Sequence, residues 1–361
     1  MLEEGIGLLI VSTVAVDSGI VVGSVVATGT EEGVLSTINC GTEVGVGDAH
    51  PVKKLTSSIV TSIRGNIFMF VLMLCGWRII TSTRASWYNT RMSYWRLLIT
   101  PPKRGAWNMA VDESILEHIG SGESIPTLRL YAWTPACLSL GHAQPFTDVD
   151  VTRLKERGWE VVRRATGGRA ILHADELTYS VIAPTNEPRV EGSVLESYNR
   201  LAQALLLAVK GLEIPVVMKE GKANDSATPN PVCFEVPSTY EITVDGKKLI
   251  GSAQARKKEG VLQHGSLPLT GDLTRICQAL KFENESAREH ASKRLLERAT
   301  TVESALGREV SWETAAQAFI HAFEAQLGLS LQRAELSESE SKRADALVRE
   351  KYDHPSWTER V

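Results

Sequence analysis

The feature that most constrains the fold is an alternation of helix-like and strand-like segments that begins at Met92. Trp107, Val111, Ile115 and Ile119 recur every four residues, so they give one predicted helix a single apolar face. Further helices are predicted at residues 150–157 and 193–211, and strand-like runs at 128–133, 137–141, 159–164 and 248–254.

Two hairpin signals interrupt this alternation. One is the run at residues 169–184, and the other is Asp245-Gly246, a dipeptide typical of tight hairpin turns. Strands mixed with helices and hairpins predict an α+β fold with a mixed sheet rather than a doubly wound dinucleotide-binding fold. The charged, Ala-rich sequence of residues 291–361 predicts a small C-terminal helical region behind a main domain at 92–290.

Residues 1–91 differ in composition from the rest of the chain. Residues 1–60 contain no Phe, Tyr or Trp, and their only lysines or arginines are two lysines. Without large aromatic side chains, this segment has little with which to form a hydrophobic core. The apolar run at 67–77 is about half the length of a membrane helix, and no A-x-A-like cleavage site follows it. We therefore expect residues 1–91 to be an atypical extension, either disordered or upstream of a true start at Met92.

Charge and cysteine content exclude several classes of protein. The net charge of −4 provides no basic field for nucleic acid or for an anionic membrane surface. The five cysteines are scattered without a CxxC pair, so free thiols in a reducing cytoplasm are expected. His118 and His142 have no partners at metal-ligand spacing, and no metal site is expected.

A first candidate cluster lies in the segment RRATGGRAILH. Arg163 and Arg164 end a predicted strand, Gly167 and Gly168 follow, and His173 lies five residues further on. Paired glycines let a substrate approach the main chain closely, and exposed backbone N–H groups can bind an oxygen atom. The alternative is a plain hairpin turn with two arginines at its edge.

A second candidate is Cys233, in a loop between Pro231 and Pro237. Most lone cysteines are buried apolar residues, but a thiol presented by a stiff loop can serve as a nucleophile. His173, Lys247 and Lys248 are basic groups elsewhere in the chain that would lower a thiol pKa.

A third candidate follows Asp245-Gly246. If this segment is a strand, Lys248, Ile250 and Ser252 share one face, and Gly251 lies on the other. A lysine beside a glycine-lined site would stabilise a thiolate or an oxyanion. The alternative is an ordinary solvated hairpin.

Four ordered blocks give the chain a family resemblance. The blocks are NMAVDE (108–113), RRATGGRAILHADELTYS (163–180), NPVCFEVPSTYEI (230–242) and GKKLIGSAQARKKEGVLQHGS (246–266). Together they resemble the biotin/lipoate ligase superfamily, and more closely the octanoyltransferases that are similar to lipoate–protein ligase A. The resemblance implies a mixed-sheet catalytic domain of that type.

The resemblance also implies roles for individual residues. Cys233 matches the cysteine that forms an acyl-thioester, and Lys248, fifteen positions later, matches the lysine that lowers the pKa of that cysteine. The predicted substrate-binding residues are Arg163, Arg164, Gly167, Gly168, His173, Gly251 and Ser252.

The implied reaction moves an octanoyl group from octanoyl-acyl-carrier protein, through the cysteine, to a lysine of a lipoyl domain or of the glycine-cleavage carrier protein. It needs neither ATP nor a metal, and no nucleic acid or membrane partner is expected. Three alternatives stay open: an ATP-dependent lipoate–protein ligase, a transferase between two protein lysines, and a non-catalytic module that binds acyl-carrier proteins.

Overall fold

The computed structural model describes backbone and side chains at residues 93–217 and 242–361. At residues 218–220 and 240–241, and in seven strands that lie before residue 84, it describes the backbone alone. Cys233 lies outside the described residues. The chain divides into two compact units, Met1–Asn89 and Thr90–Val361. Among the described residues, no helix combines the length and the apolar character of a membrane span.

The first unit contains short antiparallel pairings. Its strands are β1 (Gly7–Val11), β2 (Val14–Val16), β3 (Gly19–Val21), β4 (Val25–Gly29), β5 (Ile59–Arg64), β6 (Ile67–Leu74) and β7 (Trp77–Thr83). β1 pairs with β4, β2 with β3, and β6 lies between β5 and β7.

The second unit combines two sheets with helices. Its strands are β8 (Ser93–Ile99), β9 (Thr127–Tyr131), β10 (Cys137–Leu140), β11 (Glu160–Arg163), β12 (Ile171–His173), β13 (Glu176–Ala183), β14 (Val217–Glu220), β15 (Tyr240–Val244), β16 (Lys247–Lys257), β17 (Gly260–Pro268) and β18 (Leu329–Ala334). Its helices are α1 (Gly105–Ser121), α2 (Val151–Glu156), α3 (Val194–Gly211), α4 (Ile276–Ala279), α5 (Glu285–Arg298), α6 (Val302–Leu306), α7 (Trp312–Leu327), α8 (Glu338–Leu347) and α9 (Pro355–Thr358).

The main sheet has the order β14-β15-β16-β17-β13-β9-β8-β18, and the small sheet has the order β11-β10-β12. In the main sheet β8 runs parallel to β9 and β18, and the other pairs are antiparallel. The prediction of an α+β fold with a mixed sheet is confirmed.

The main sheet is covered on both faces. One face packs under α3 and α7, where Leu201, Leu205, Phe319 and Phe323 join the largest apolar cluster. The other face packs against α1 and the C-terminal elements in a second cluster. The small sheet packs with α2, α4 and α5 around a third apolar cluster. The seam, the boundary where the small sheet meets the main sheet, therefore lies between separate apolar clusters.

Local sequence signals explain where several elements begin. α3 begins after Ser193, whose side chain accepts a hydrogen bond from the backbone N–H of Glu196 while Glu196 caps Ser193 in return. Asp245 and Gly246 have φ values of 50° and 78°, as a two-residue hairpin turn requires. The predicted hairpin between β15 and β16 is confirmed.

The run at 169–184 does not form the predicted hairpin. β12 pairs with β10 in the small sheet, whereas β13 lies between β9 and β17 in the main sheet. The prediction is wrong because β13 is a buried inner strand of the main sheet. Its two edges are already paired with β9 and β17, so no edge is left for β12. The short connection between β12 and β13 therefore joins the two sheets.

The C-terminal region contains one element that the sequence did not predict. β18 runs parallel to β8 and forms an edge of the main sheet, whereas α8 packs on α1. The division at residues 290 and 291 stays a prediction.

Candidate active site

A cavity of about 430 Å³, including its open mouth, lies at the seam between the two sheets. It is lined by residues of α1, β9, β10, β12, β13, β16 and β17 and of the loop that precedes β12. Among the residues predicted from the sequence, Arg164, Gly168, His173, Gly251 and Ser252 line it. The structure thus brings together parts of two sequence clusters that are about eighty residues apart.

His173 forms one wall of this cavity and has little freedom to move. Its Nδ1 lies 2.6 Å from Oε1 of Glu176, and its Nε2 lies 2.7 Å from Oγ of Ser139. Its ring stacks on Trp133, and the indole N–H of Trp133 donates to Oγ1 of Thr178 at 2.7 Å. The wall is therefore aromatic and fixed in position before any ligand binds.

The double-glycine loop is held by Arg164. The Arg164 guanidinium donates to the carbonyl oxygens of Ser139, Gly167 and Arg169 at 2.8 to 2.9 Å. Gly168 has a φ of 93°, a conformation that favours glycine. A Cβ at Gly141 would lie 1.8 Å from the carbonyl oxygen of Gly168, so the two backbones touch. Arg164 therefore shapes the loop that lines the cavity.

Arg163 and Gly167 are not among the residues that line the cavity. The Arg163 guanidinium is buried and donates to the carbonyl oxygens of Gly141, Gln144 and Thr358. It joins the C-terminal segment to the loop after β10. Arg163 thus fixes backbone segments next to the cavity without lining it, and its predicted role in substrate binding stays a prediction.

A β-bulge changes the direction of Lys248. Ile242 pairs with Ile250 and Thr243 with Lys248, so Leu249 is an extra residue in β16. Leu249 and Ile250 both pack in the cluster under α3 and α7, which places Lys248 on the opposite face with Gly251. The predicted alternation, with Lys248, Ile250 and Ser252 on one face, is therefore wrong. Lys248 is buried on the same face of the sheet as Gly251, but it is not among the residues that line the cavity.

Ser252 lies on the far side of β16 from this face. Its Oγ lies 2.8 Å from the hydroxyl of Tyr179, which also accepts a hydrogen bond from Nε2 of Gln263 at 3.0 Å. Burial raises the pKa of Tyr179, so its hydroxyl stays protonated. These bonds join β13, β16 and β17 directly beneath the cavity.

A buried polar network, which sequence reasoning did not single out, connects α1 to the double-glycine loop. Asp112 accepts hydrogen bonds from Arg129 at 2.7 Å and Ser180 at 2.9 Å, and lies 3.6 Å from Nδ1 of His264. Nε2 of His264 lies 2.6 Å from Oγ1 of Thr166. His264 also lines the cavity.

Two opposing effects set the charges in this network. Burial acts to raise the pKa of Asp112, but the Arg129 guanidinium and the contact with His264 together outweigh it, and the pKa is lowered. Burial lowers the pKa of His264 even though Asp112 is near. An ionised Asp112 and a neutral His264 at neutral pH follow. Asp112 lies in the block at 108–113 and His264 in the block at 246–266, but nothing in the spacing of either residue distinguished it from a core residue.

The described cysteines do not supply a reactive thiol. Cys137 and Cys277 are both buried. Burial raises the pKa of Cys137 well above its ordinary value, which suppresses the thiolate. Within the described residues, no group of three His, Cys, Asp or Glu side chains could hold a metal ion.

Comparison with known proteins gives a consistent result. Residues 104–324 match the model of the lipoyl protein ligase A/B catalytic domain. The chain is 38% identical over 267 residues to octanoyltransferase LipM of Carboxydothermus hydrogenoformans, covering 74% of this chain and 98% of the relative. It is 40% identical over 268 residues to octanoyltransferase LipM of Moorella thermoacetica, with the same coverage of 74% and 98%.

A solved structure agrees with these matches. The bipartite lipoate protein ligase of Thermoplasma acidophilum, studied with its E2 lipoyl domain, superposes with a TM-score of 0.62 and 25% sequence identity. The superposition covers 74% of this chain and 96% of that one.

Proposed function

Because the chain belongs to the lipoyl protein ligase A/B catalytic domain family and is an acyltransferase, we propose that it transfers an octanoyl group from octanoyl-acyl-carrier protein to a protein lysine. The acceptor lysine belongs to a lipoyl domain of a 2-oxoacid dehydrogenase or to the glycine-cleavage carrier protein. This transfer is the first step of lipoate biosynthesis, and we place it in the cytoplasm.

One observation carries the proposal. Relatives named octanoyltransferase are 38% and 40% identical to this chain over 98% of their own length, so the likeness extends through the whole catalytic region. The acceptor class is supported by the Thermoplasma ligase, whose structure was studied with an E2 lipoyl domain.

The cavity suits an acyl substrate. Met109, Tyr131, Trp133 and Ile171 supply apolar or aromatic surface, and polar groups are concentrated around His173 and His264. An octanoyl group likewise has an apolar part, its long hydrocarbon chain, and a polar part, its carbonyl end.

The first half-reaction acylates the enzyme. The Cys233 thiolate attacks the carbonyl carbon of the octanoyl thioester, and a tetrahedral intermediate forms with negative charge on the oxygen. The intermediate collapses as the C–S bond to the carrier breaks, and the carrier leaves as a thiolate that takes up a proton. One thioester replaces another, so the step needs neither ATP nor a metal.

The second half-reaction forms the amide. The neutral amine of the acceptor lysine attacks the octanoyl-cysteine, loses a proton, and expels the Cys233 thiolate. Conversion of a thioester to an amide is downhill, so this step drives the overall transfer. Two steps through one covalent intermediate predict ping-pong kinetics.

Lys248 and the cavity residues complete the proposed site. Lys248 stabilises the Cys233 thiolate as an ammonium ion, and its position on the face of Gly251 supports this role. His173, Gly168, Gly251 and the main chain of Ser252 contact the octanoyl group. Arg163 holds the loop after β10, and Arg164 holds Gly167 in the double-glycine loop.

A transfer assay tests the proposed function. The chain is mixed with octanoyl-acyl-carrier protein and an isolated lipoyl domain, without ATP, and the lipoyl domain is weighed by mass spectrometry. We expect a gain of about 126 Da, the mass of one octanoyl group replacing a proton, on one lysine of the acceptor. Acylation that requires free octanoate or lipoate together with ATP would instead show a ligase.

A further inference from the structure

Ser266 is an exception among the polar residues of the cavity wall. It lies near the C-terminal end of β17, paired with Gly251 on one side and Thr178 on the other, and it is fully buried. Its Oγ has no hydrogen-bond partner in the part of the chain that the structure describes. Buried hydroxyl groups in folded proteins nearly always have a partner, so this one requires an explanation.

The neighbouring polar groups are all occupied within the protein. His173 is held by Ser139 and Glu176, and His264 lies between Asp112 and Thr166. Thr178 contacts Trp133 and Glu176, and Ser252 contacts Tyr179. The unpaired hydroxyl is therefore confined to Ser266 among these wall residues, and general looseness of the site does not account for it.

The direction of the Ser266 side chain follows from strand alternation. Val261 and Leu267 pack in the cluster under α3 and α7, so Ser266 and His264 point to the opposite face, where the cavity lies. Gly251, directly across from Ser266, has no side chain to cover the hydroxyl. Ser266 therefore lines the cavity, and a ligand group that enters the space between Ser266 and Gly251 would meet its Oγ.

We propose that Ser266 donates a hydrogen bond to the carbonyl oxygen of the octanoyl group and stabilises the negative charge that forms there during transfer. The proposal rests on the octanoyl transfer proposed above. An octanoyl group carries one hydrogen-bond acceptor, its carbonyl oxygen, and Ser266 offers one donor. That oxygen becomes anionic in the tetrahedral intermediate, so a fixed donor binds it more strongly then than in the thioester.

The unpaired hydroxyl has a second consequence. A buried donor without a partner destabilises the folded protein, so its removal leaves the free enzyme as stable or more stable. The same removal takes a donor from the reaction. Ser266→Ala is therefore expected to lower activity without lowering stability, a combination that a purely structural serine would not give.

The test compares Ser266→Ala with Ser114→Ala. Ser114 is an equally buried serine in α1, but its Oγ donates to the carbonyl oxygen of Glu340 at 2.8 Å, away from the cavity. We expect Ser266→Ala to lower kcat about 100-fold, as loss of one oxyanion donor does elsewhere, with a much smaller change in KM and an unchanged or higher Tm. Ser114→Ala should lower Tm and keep its kcat.

Infrared spectroscopy examines the proposed bond itself. The enzyme is acylated with octanoyl-acyl-carrier protein that carries ¹³C at the carbonyl, and the stretching frequency of the bound carbonyl is recorded. We expect a higher frequency in Ser266→Ala than in the wild type, because the carbonyl loses a hydrogen bond.

Each outcome decides the matter. Equal kcat and equal carbonyl frequency in Ser266→Ala and wild type would overturn the inference and leave the transfer activity intact. A Ser266→Ala protein that is strongly destabilised or unfolded would also overturn it, because the hydroxyl would then have a structural partner. Failure of the wild type to accept an octanoyl group would instead refute the proposed function, and the inference with it.

Discussion

His173 stacks face to face on Trp133, with 3.9 Å between ring centroids and 7° between ring planes. The two rings are also linked beneath the stack, because Trp133 donates to Thr178, Thr178 donates to Glu176, and Glu176 contacts His173. This closed set of contacts joins the small sheet to the main sheet. It fixes one wall of the cavity by hydrogen bonds as well as by packing.

Replacement of Trp133 should separate the contributions of the ring and of its N–H group. Trp133→Ala removes the stack and leaves a buried void, so we expect a loss of about 3–5 kcal/mol in the free energy of unfolding. Trp133→Phe keeps an aromatic ring and loses one hydrogen bond, a change of about 1–3 kcal/mol. Urea unfolding and kcat/KM for the octanoyl donor measure the two effects. Equal behaviour of the two variants would contradict the importance of the stack.

The contact between Gly141 and Gly168 predicts a second effect. A methyl group at residue 141 would lie 1.8 Å from the carbonyl oxygen of Gly168, so Gly141→Ala must displace the double-glycine loop. We expect kcat/KM to fall at least tenfold, because a shift of about 1 Å at a reactive site can reduce rates by about 100-fold. Gly211→Ala is the control, since nothing lies within 4 Å of a Cβ there. Full activity in Gly141→Ala would show that the loop does not position substrate.

Glu113 predicts how stability depends on pH. Burial acts to raise the pKa of Glu113, but hydrogen bonds from Lys351, Tyr352 and Lys257, together with the charge of Lys351, outweigh it. They hold the pKa at about 2, below the ordinary 4.5. A carboxyl group with a lowered pKa stabilises the fold above its unfolded pKa. That stability is lost as the pH falls from about 4.5 towards 2, and it amounts to on the order of 3 kcal/mol.

Urea unfolding between pH 2 and pH 7 tests this dependence. Burial lowers the pKa of Lys351, but that lysine stays protonated throughout the acid range, so the carboxylate controls the change. Glu113→Gln should be less stable than wild type at pH 7 and should lose less stability on acidification. Exposed Glu289→Gln is the control and should follow the wild-type curve. A wild-type slope in Glu113→Gln would refute this role.

Lys248 is expected to affect the chemical step through charge. Lys248→Ala removes the ammonium that stabilises the proposed thiolate, so the pH profile of enzyme acylation should shift to higher pH. Lys248→Arg keeps the positive charge and should retain a profile closer to that of wild type. Single-turnover acylation rates at several pH values measure the shift. An unchanged profile in Lys248→Ala would remove Lys248 from the mechanism.

The sequence predicted features that depend on local periodicity and turn chemistry. The four-residue spacing from Trp107 to Ile119 predicted α1, and Asp245-Gly246 predicted the hairpin between β15 and β16. Partners distant in the chain were not predictable in this way. Whether β12 pairs with β10 or β13, and whether residues 329–334 join a sheet, depends on tertiary packing.

The candidate site shows the same difference. The ordered sequence blocks indicated Arg164, Gly168, His173 and Gly251, all of which line the cavity. The bulge at Leu249 changed the face on which Lys248 lies, and a one-residue insertion in a ladder leaves no mark in a strand pattern. Ser266 was equally inconspicuous, because an unpaired hydroxyl can be recognised only when its surroundings are known.

Intact mass of the enzyme after reaction with octanoyl-acyl-carrier protein alone tests the central claim most directly. Without an acceptor, the wild type should gain about 126 Da as a thioester that hydroxylamine removes, and Cys233→Ser should not form it. Cys277→Ser, at a buried cysteine in α4, should form the adduct like the wild type. Transfer of octanoyl groups to a lipoyl domain by Cys233→Ser at the wild-type rate would contradict the account.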